Sequence, residues 1–270
     1  MLRPRVVSAL ILGPLALAGA FLGGLPYFAL VTAVAVLALR EYWGLASQMG
    51  YRPDRPLALG ILALSLIQAR GHISLEAWGG GLSLLLLLSL ALQLRFPPLP
   101  DAGMRRDPVV DWALGLGGGL YIGWLSGHFV SLRELPSGFQ WTLLAFLTTW
   151  AHDSGAYLAG RAIGKRPLAF GISPHKTWEG TLAGWVVGSA VAAGAALYLG
   201  RPDWEALGLG IVLSLAATAG DLVESFLKRR AGAKDSGHLI PGHGGILDRI
   251  DSLLFVVVVV YYYVIWMVGD

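Results

Sequence analysis

Asp221 interrupts an otherwise apolar run, and carboxylates at membrane depth are expensive and usually functional. If that run is helical, Asp221, Glu224, Ser225 and Lys228 recur at i, i+3, i+4 and i+7 and share one face. Asp248 and Asp251, again three apart, open the last apolar run. Should the two helices meet at these ends, three or four carboxylates converge into a hard-oxygen set suited to Mg²⁺. Lys228, Arg229, Arg230, Lys234, His243 and Arg249 accompany them, enough positive charge to hold several phosphates. Gly242, Gly244 and Gly245 permit close backbone approach and offer amide donors to anions. Acidic metal ligands beside a basic, glycine-rich loop suit phosphoryl or nucleotidyl transfer, where metal and cations neutralise charge while the phosphate is held for in-line attack.

A second polar segment runs from His152 to Gly180 and includes Asp153, Lys165, Arg166 and Ser173-Pro174-His175-Lys176-Thr177-Trp178-Glu179-Gly180. Plainer readings stand beside each residue. Lys228 to Arg230 alone would be an interfacial anchor. Glu41 and Asp111, at span edges, read as interfacial caps, and the isolated His72 and His128 as structural. His152 beside Asp153 fits a catalytic or a structural role, and Asp221 could pair with Lys176 as buried glue. Gly160, Gly164 and Lys165 lack the spacing and the following Ser/Thr of a Walker A loop. With no cysteine, a disulfide framework, a thiolate metal site and a cysteine nucleophile are excluded.

The elements that must position these groups follow from composition. Of 270 residues, 55% are apolar and 14% charged, where a soluble domain carries about a quarter charged. Mean hydropathy is +0.63. A soluble globule and a disordered chain are both excluded, and the expected class is all-α, a polytopic membrane protein. A net charge of +3 gives no argument for nucleic acid.

Uncharged runs predict nine spans. Val6–Leu39 is broken into two by Gly23, Gly24 and Pro26; the others are Pro56–Ala69, Ala77–Leu94, Trp112–Leu132, Leu135–His152, Gly180–Gly200, Ala206–Gly220 and Ser252–Gly269. Pro56–Ala69 is short enough for a re-entrant segment, and charge arbitrates. With nine spans, 17 of the 20 Lys and Arg lie on one side and only Arg70, Arg133 and Arg201 on the other; without the short span the split is 12 to 8. The positive-inside rule selects nine, with the amino terminus cytoplasmic and the carboxyl terminus outside. Arg3 and Arg5 before an apolar run, with Ala18-Gly19-Ala20, imitate a secretory signal, but the run continues past Ala20 and reads as an uncleaved first helix. The expected division is four spans over residues 1–108 and a catalytic region of five spans over 109–270, with cytoplasmic motifs 152–180 and 221–251. Small residues recur every four positions at Gly180, Gly184, Gly188, Ala192, Ala196 and Gly200, a stripe for close helix packing that makes a homodimer conceivable.

The stretch from Ser225 through Lys228-Arg229, Lys234-Asp235-Ser236-Gly237-His238 and Pro241-Gly242-His243-Gly244-Gly245 to Asp248-Arg249-Ile250-Asp251 resembles the signature of the phosphatidate cytidylyltransferase family, the CDP-diacylglycerol synthases. The segment Ser173 to Gly180 is similar to that family's second cytoplasmic motif. The resemblance covers Asp153 to Asp251; the earlier spans match in hydropathy only. It implies that CTP and phosphatidate give CDP-diacylglycerol and diphosphate with Mg²⁺, in phospholipid biosynthesis at the inner face of the cell membrane. Expected roles are metal binding by Asp221, Asp248 and Asp251, with a second metal or a monovalent cation also compatible. Lys176, Ser225, Lys228, Arg229, Lys234, Arg249, Gly244 and Gly245 would bind substrate, and His243 would orient the metal shell or protonate diphosphate. Two rivals remain: a CTP-dependent lipid-alcohol kinase, and a cation transporter using the intramembrane carboxylates. The acidic residues gather at helix ends beside basic loops, which suits anionic substrates better than a midplane transport site.

Overall fold

The computed structural model describes residues 2–95, 107–240 and 244–269; His243 and Gly242 therefore lie outside the described residues. Its helices are α1 (Leu2–Leu22), α2 (Gly24–Gln48), α3 (Arg55–Ala69), α4 (Leu75–Arg95), α5 (Pro108–Gly118), α6 (Leu125–Glu134), α7 (Gly138–Ile163), α8 (Trp178–Tyr198), α9 (Asp203–Arg230) and α10 (Leu247–Tyr263). A π segment, Gly119–Trp124, joins α5 to α6 without a break, and a second, Val264–Val268, extends α10. Each expected apolar run forms a helix. Among the described residues, five are long and apolar enough to cross a membrane: Gly24–Gln48, Leu75–Gln93, Trp178–Tyr198, Asp203–Arg230 and Leu247–Val268. That pattern is one of a multi-pass membrane protein. The short α3, with 15 residues, reaches only about 22 Å, less than a bilayer core of about 30 Å.

Two compact units divide the chain. The first comprises residues 1–134 and 230–248. Here Gly23, at φ +63°, breaks the first run between α1 and α2. Arg133 satisfies the orphan carbonyls at the end of α1, its Nε donating to Ala20 O at 2.6 Å and its guanidinium also to Phe21 O. Asp54 caps α3 by accepting from Leu57 N at 3.0 Å. Gly115, Gly119, Gly123 and Gly127, four apart, run down the α5–α6 rod against Asp54, Ala58 and Ile61, Leu62, and Ser65 on α3. Any Cβ on the first three would clash, so α3 sits against backbone.

The second unit comprises residues 135–229 and 249–270. Strands β1 (Pro167–Ala169) and β2 (Ser173–Thr177) form a small antiparallel hairpin ahead of α8. Thr177 caps α8, its Oγ1 accepting from Gly180 N, while Glu179 Oε2 accepts from Lys165 N and Arg166 N. Gly180, Gly184 and Gly188 face Ala156 and His152 on α7, and Gly188 also meets Ser214 on α9. The small-residue stripe is thus used inside the unit and supplies no argument for a homodimer. Helix α7 runs on to Ile163, so His152 and Asp153 are intrahelical rather than part of a connecting segment.

Candidate active site

Helix α9 places Asp221, Glu224, Ser225 and Lys228 on one face, as their spacing requires. Gly220, just before Asp221, lets α10 come close: a Cβ there would lie 2.5 Å from Asp251 O and 3.0 Å from Ser252 Cα. Because the backbones approach this closely, one carboxylate oxygen from each of Asp221, Glu224 and Asp251 falls within 4.8 Å of the others. Glu224 is fully buried, Asp251 is 9% exposed, and the Asp221 side chain is one-third exposed at 34%. Oxygen ligands around one Mg²⁺ stand about 3–4 Å apart, so only a small contraction would close this set on an ion. Hard oxygens with restricted solvent access fit a divalent cation.

Two ammonium groups stand against two of the three carboxyls. Lys176 Nζ lies 2.5 Å from Asp221 Oδ2 and donates to Ser225 Oγ at 3.3 Å. Lys228 pairs with Glu224 one turn back along α9. The β hairpin carries Lys176 into this position, and Arg229 ties the hairpin down, its Nε donating to Ile172 O at 3.0 Å. The structure therefore brings together Asp221, Asp251, Ser225, Lys176 and Lys228 of the expected site. Among the described residues, the gathered carboxylates are Asp221, Glu224 and Asp251: Glu224, from the expected helix face, stands where the expected metal set had Asp248, whose Oδ2 is taken up by the signature loop. Arg249 stands exposed at the start of α10.

His152 is buried, with Nδ1 3.0 Å from Asp153 Oδ1 and Nε2 3.0 Å from Thr218 Oγ1. Thr218 Oγ1 also accepts from Trp185 Nε1. Nδ1 is engaged within α7 and Nε2 reaches α9, where Thr218 is in turn bonded by Trp185 of α8, so both ring nitrogens are taken up by packing contacts.

In the first unit the signature loop has its own anchor. Asp248 Oδ2 accepts from Ser236 N at 2.9 Å and Gly245 N at 2.7 Å, and Ser236 Oγ, 2.8 Å away, shares its one proton between Asp248 Oδ2 and Glu41 Oε2. The Gly245 amide, expected to meet phosphate, is thus already bonded. Gly244 holds φ +78°, where a Cβ would lie 2.6 Å from Asp248 Oδ2, so glycine is needed for the loop's own packing. Lys234 is exposed on this loop. Glu41, expected to be a mere interfacial cap, accepts from Ser236 Oγ, Ile246 N and Leu247 N. The i, i+3 spacing pointed to Glu224; no local signal pointed to Glu41.

Comparison with known proteins bears on the chemistry. A family model described as the cytidylyltransferase family matches residues 3–267. The chain is 34% identical to a phosphatidate cytidylyltransferase of Synechocystis sp. over 294 aligned residues, covering 97% of this chain and 96% of that protein. It is 34% identical over 260 residues to a phosphatidate cytidylyltransferase of Bacillus subtilis, with 95% of each covered. With one from Staphylococcus aureus it shares 35% identity over 240 residues, covering 87% and 88%.

Proposed function

The chain belongs to the cytidylyltransferase family and is a nucleotidyltransferase, and from that premise we propose a phosphatidate cytidylyltransferase that makes CDP-diacylglycerol at the cytoplasmic face of the cell membrane. An ionised oxygen of the phosphatidate phosphate attacks the α-phosphorus of CTP. The new P–O bond forms as the bond to the bridging α–β oxygen breaks, and diphosphate leaves with the electron pair. An already ionised nucleophile needs no dedicated general base, in keeping with the structural engagement of His152.

Asp221, Glu224 and Asp251 would hold Mg²⁺. When bound, the ion would neutralise charge on the triphosphate and the departing diphosphate. Lys176 and Lys228 have flexible stems and point charges, so each can exchange a carboxylate for a phosphate oxygen when nucleotide enters. Ser225 Oγ, now bonded to Lys176, becomes a donor for the same phosphates. Arg229 fixes the hairpin that delivers Lys176. Cytoplasmic placement is supported by the 17-to-3 distribution of basic residues, since both polar segments fall on the basic side. A diacylglycerol tail can then remain in lipid while CTP arrives from water. The catalytic part of the chain is assigned to residues 109–270.

The observation that carries this reading is the convergence of Asp221, Glu224 and Asp251 beside Lys176 and Lys228. The test is purified protein in detergent with CTP labelled separately at the α- and γ-phosphorus. Phosphatidate-dependent, Mg²⁺-dependent release of diphosphate, with the α label in lipid, is the expected result. Transfer of the γ label to lipid with release of CDP would establish a kinase instead, and no CTP turnover with any lipid would remove the enzyme reading of this site.

A further inference from the structure

Resting on that reaction, we propose that Glu41 is a positioning residue, a carboxylate supplied by α2 to fix the signature loop and the start of α10. Glu41 is 195 residues from Ser236, yet its Oε2 accepts from Leu247 N at 2.8 Å and lies 3.0 Å from Ser236 Oγ, whose one proton it shares with Asp248, and its Oε1 accepts from Ile246 N at 2.9 Å. Ile246 and Leu247 carry amides of the α10 amino terminus, groups that have no partner within the helix and bear its partial positive charge. Glu41 is therefore a helix cap delivered from a remote element. Asp248 complements it by taking Ser236 N and Gly245 N. Together the two carboxylates hold both arms of the loop against the first turn of α10.

The glycines give a second observation. A Cβ at Gly237 would stand 2.7 Å from Glu41 Oε1, and a Cβ at Gly245 would overlap Glu41 Oε2 and Ser236 Oγ. Two signature glycines thus make room for this carboxylate. Arg249 and Asp251 follow within one turn along the helix that Glu41 starts. Glu41 touches no reacting atom; it acts by setting where that helix begins.

The experiment compares Glu41→Gln with the parent in detergent, measuring steady-state kinetics and amide hydrogen exchange over residues 244–250. A glutamine keeps the size but turns an NH₂ group toward donors. The expected result is faster exchange in that segment and a fall in kcat of about a hundredfold, with KM for CTP changed by less than about twofold. Tyr42→Phe is the control: it loses the adjacent bond from Tyr42 OH to Leu114 O, and should lower Tm while leaving exchange at 244–250 and kcat unmoved. If Glu41→Gln does not fold, Ser236→Ala carries the test, with faster exchange and a fall in kcat expected. Where both fold, the double variant should be no slower than Glu41→Gln by more than about twofold. A lowered Tm in Glu41→Gln with kcat and exchange at the parent level overturns the proposal. A parent protein that makes no CDP-diacylglycerol removes the reaction instead, and the exchange result then decides Glu41's hold on the loop separately.

Discussion

Asp251→Asn separates the metal site from the fold, because its effects on stability should change sign with the ion. Without metal, Asp251 stands within 4.8 Å of two other carboxylates. At an effective dielectric of ~20, each such pair would repel by about 3.5 kcal/mol if both members were ionised, which sets the upper limit of the strain. Lys176 and Lys228 offset much of this, and the one-third exposure of Asp221 screens more. An asparagine at 251 leaves Asp221 and Glu224 facing two ammoniums, a balanced set. A net gain near 1 kcal/mol is expected in chelator, about 2–4 °C in Tm. With Mg²⁺ the balance reverses. At an ion concentration of about a hundred times its dissociation constant, the parent gains about 2.7 kcal/mol, whereas a variant binding a hundredfold more weakly gains only about 0.4 kcal/mol. Thermal unfolding in detergent, in EDTA and across a MgCl₂ series, should therefore give crossing curves: the variant more stable without the ion and less stable with it. Turnover should fall by about 10²–10³-fold. An Asp251→Asn protein with the parent's Mg²⁺-dependent Tm shift would falsify the assignment of this carboxylate to the ion.

Two further substitutions probe the surroundings. Lys176→Gln removes the ammonium that bonds Asp221 and Ser225, so KM for CTP should rise about tenfold while the Mg²⁺ concentration at half-maximal Tm shift falls; an unchanged metal midpoint would show that Lys176 does not compete for Asp221. Gly220→Ala adds a Cβ where Asp251 O stands 2.5 Å away, forcing α9 and α10 apart, and should lower Tm by several degrees and turnover at least about tenfold, whereas parent-level turnover would mean that this close approach does not set the carboxylate geometry.

Much of this arrangement is legible in the chain because hydropathy and helical period act locally. The run from Val6 to Leu39 divides where Gly23 adopts a positive φ, and the face bearing Asp221, Glu224, Ser225 and Lys228 follows from spacing alone. Helix ends are less legible. Uncharged runs stop at His152 and Gly220, but α7 and α9 continue into polar sequence to Ile163 and Arg230, since a helix leaving an apolar layer keeps its own hydrogen bonds. The motif from Ser173 to Gly180 divides by role only in three dimensions: Thr177 caps α8, Glu179 holds the approach to the hairpin, Gly180 admits α7, and Lys176 alone reaches the carboxylates.

Pairings between distant elements are a different matter. Glycines at 115, 119, 123 and 127 mark a helix face as plainly as the stripe beginning at Gly180, yet a period says that something packs there without naming α3. Glu41 shows the same gap in its sharpest form. Its partners are two backbone amides and a hydroxyl some two hundred residues away, and backbone amides have no residue identity for a sequence to display. What the chain does carry is the complement of that contact: Gly237 and Gly245, positions where a side chain would collide with the incoming carboxylate. A glycine-rich loop next to metal-ligating acids invites the inference that its amides await phosphate. In this protein the amides of Gly245, Ile246 and Leu247 already bind protein carboxylates, so Gly245 serves the helix start, and the proposed reaction looks to Lys176 and Lys228 for its phosphate contacts.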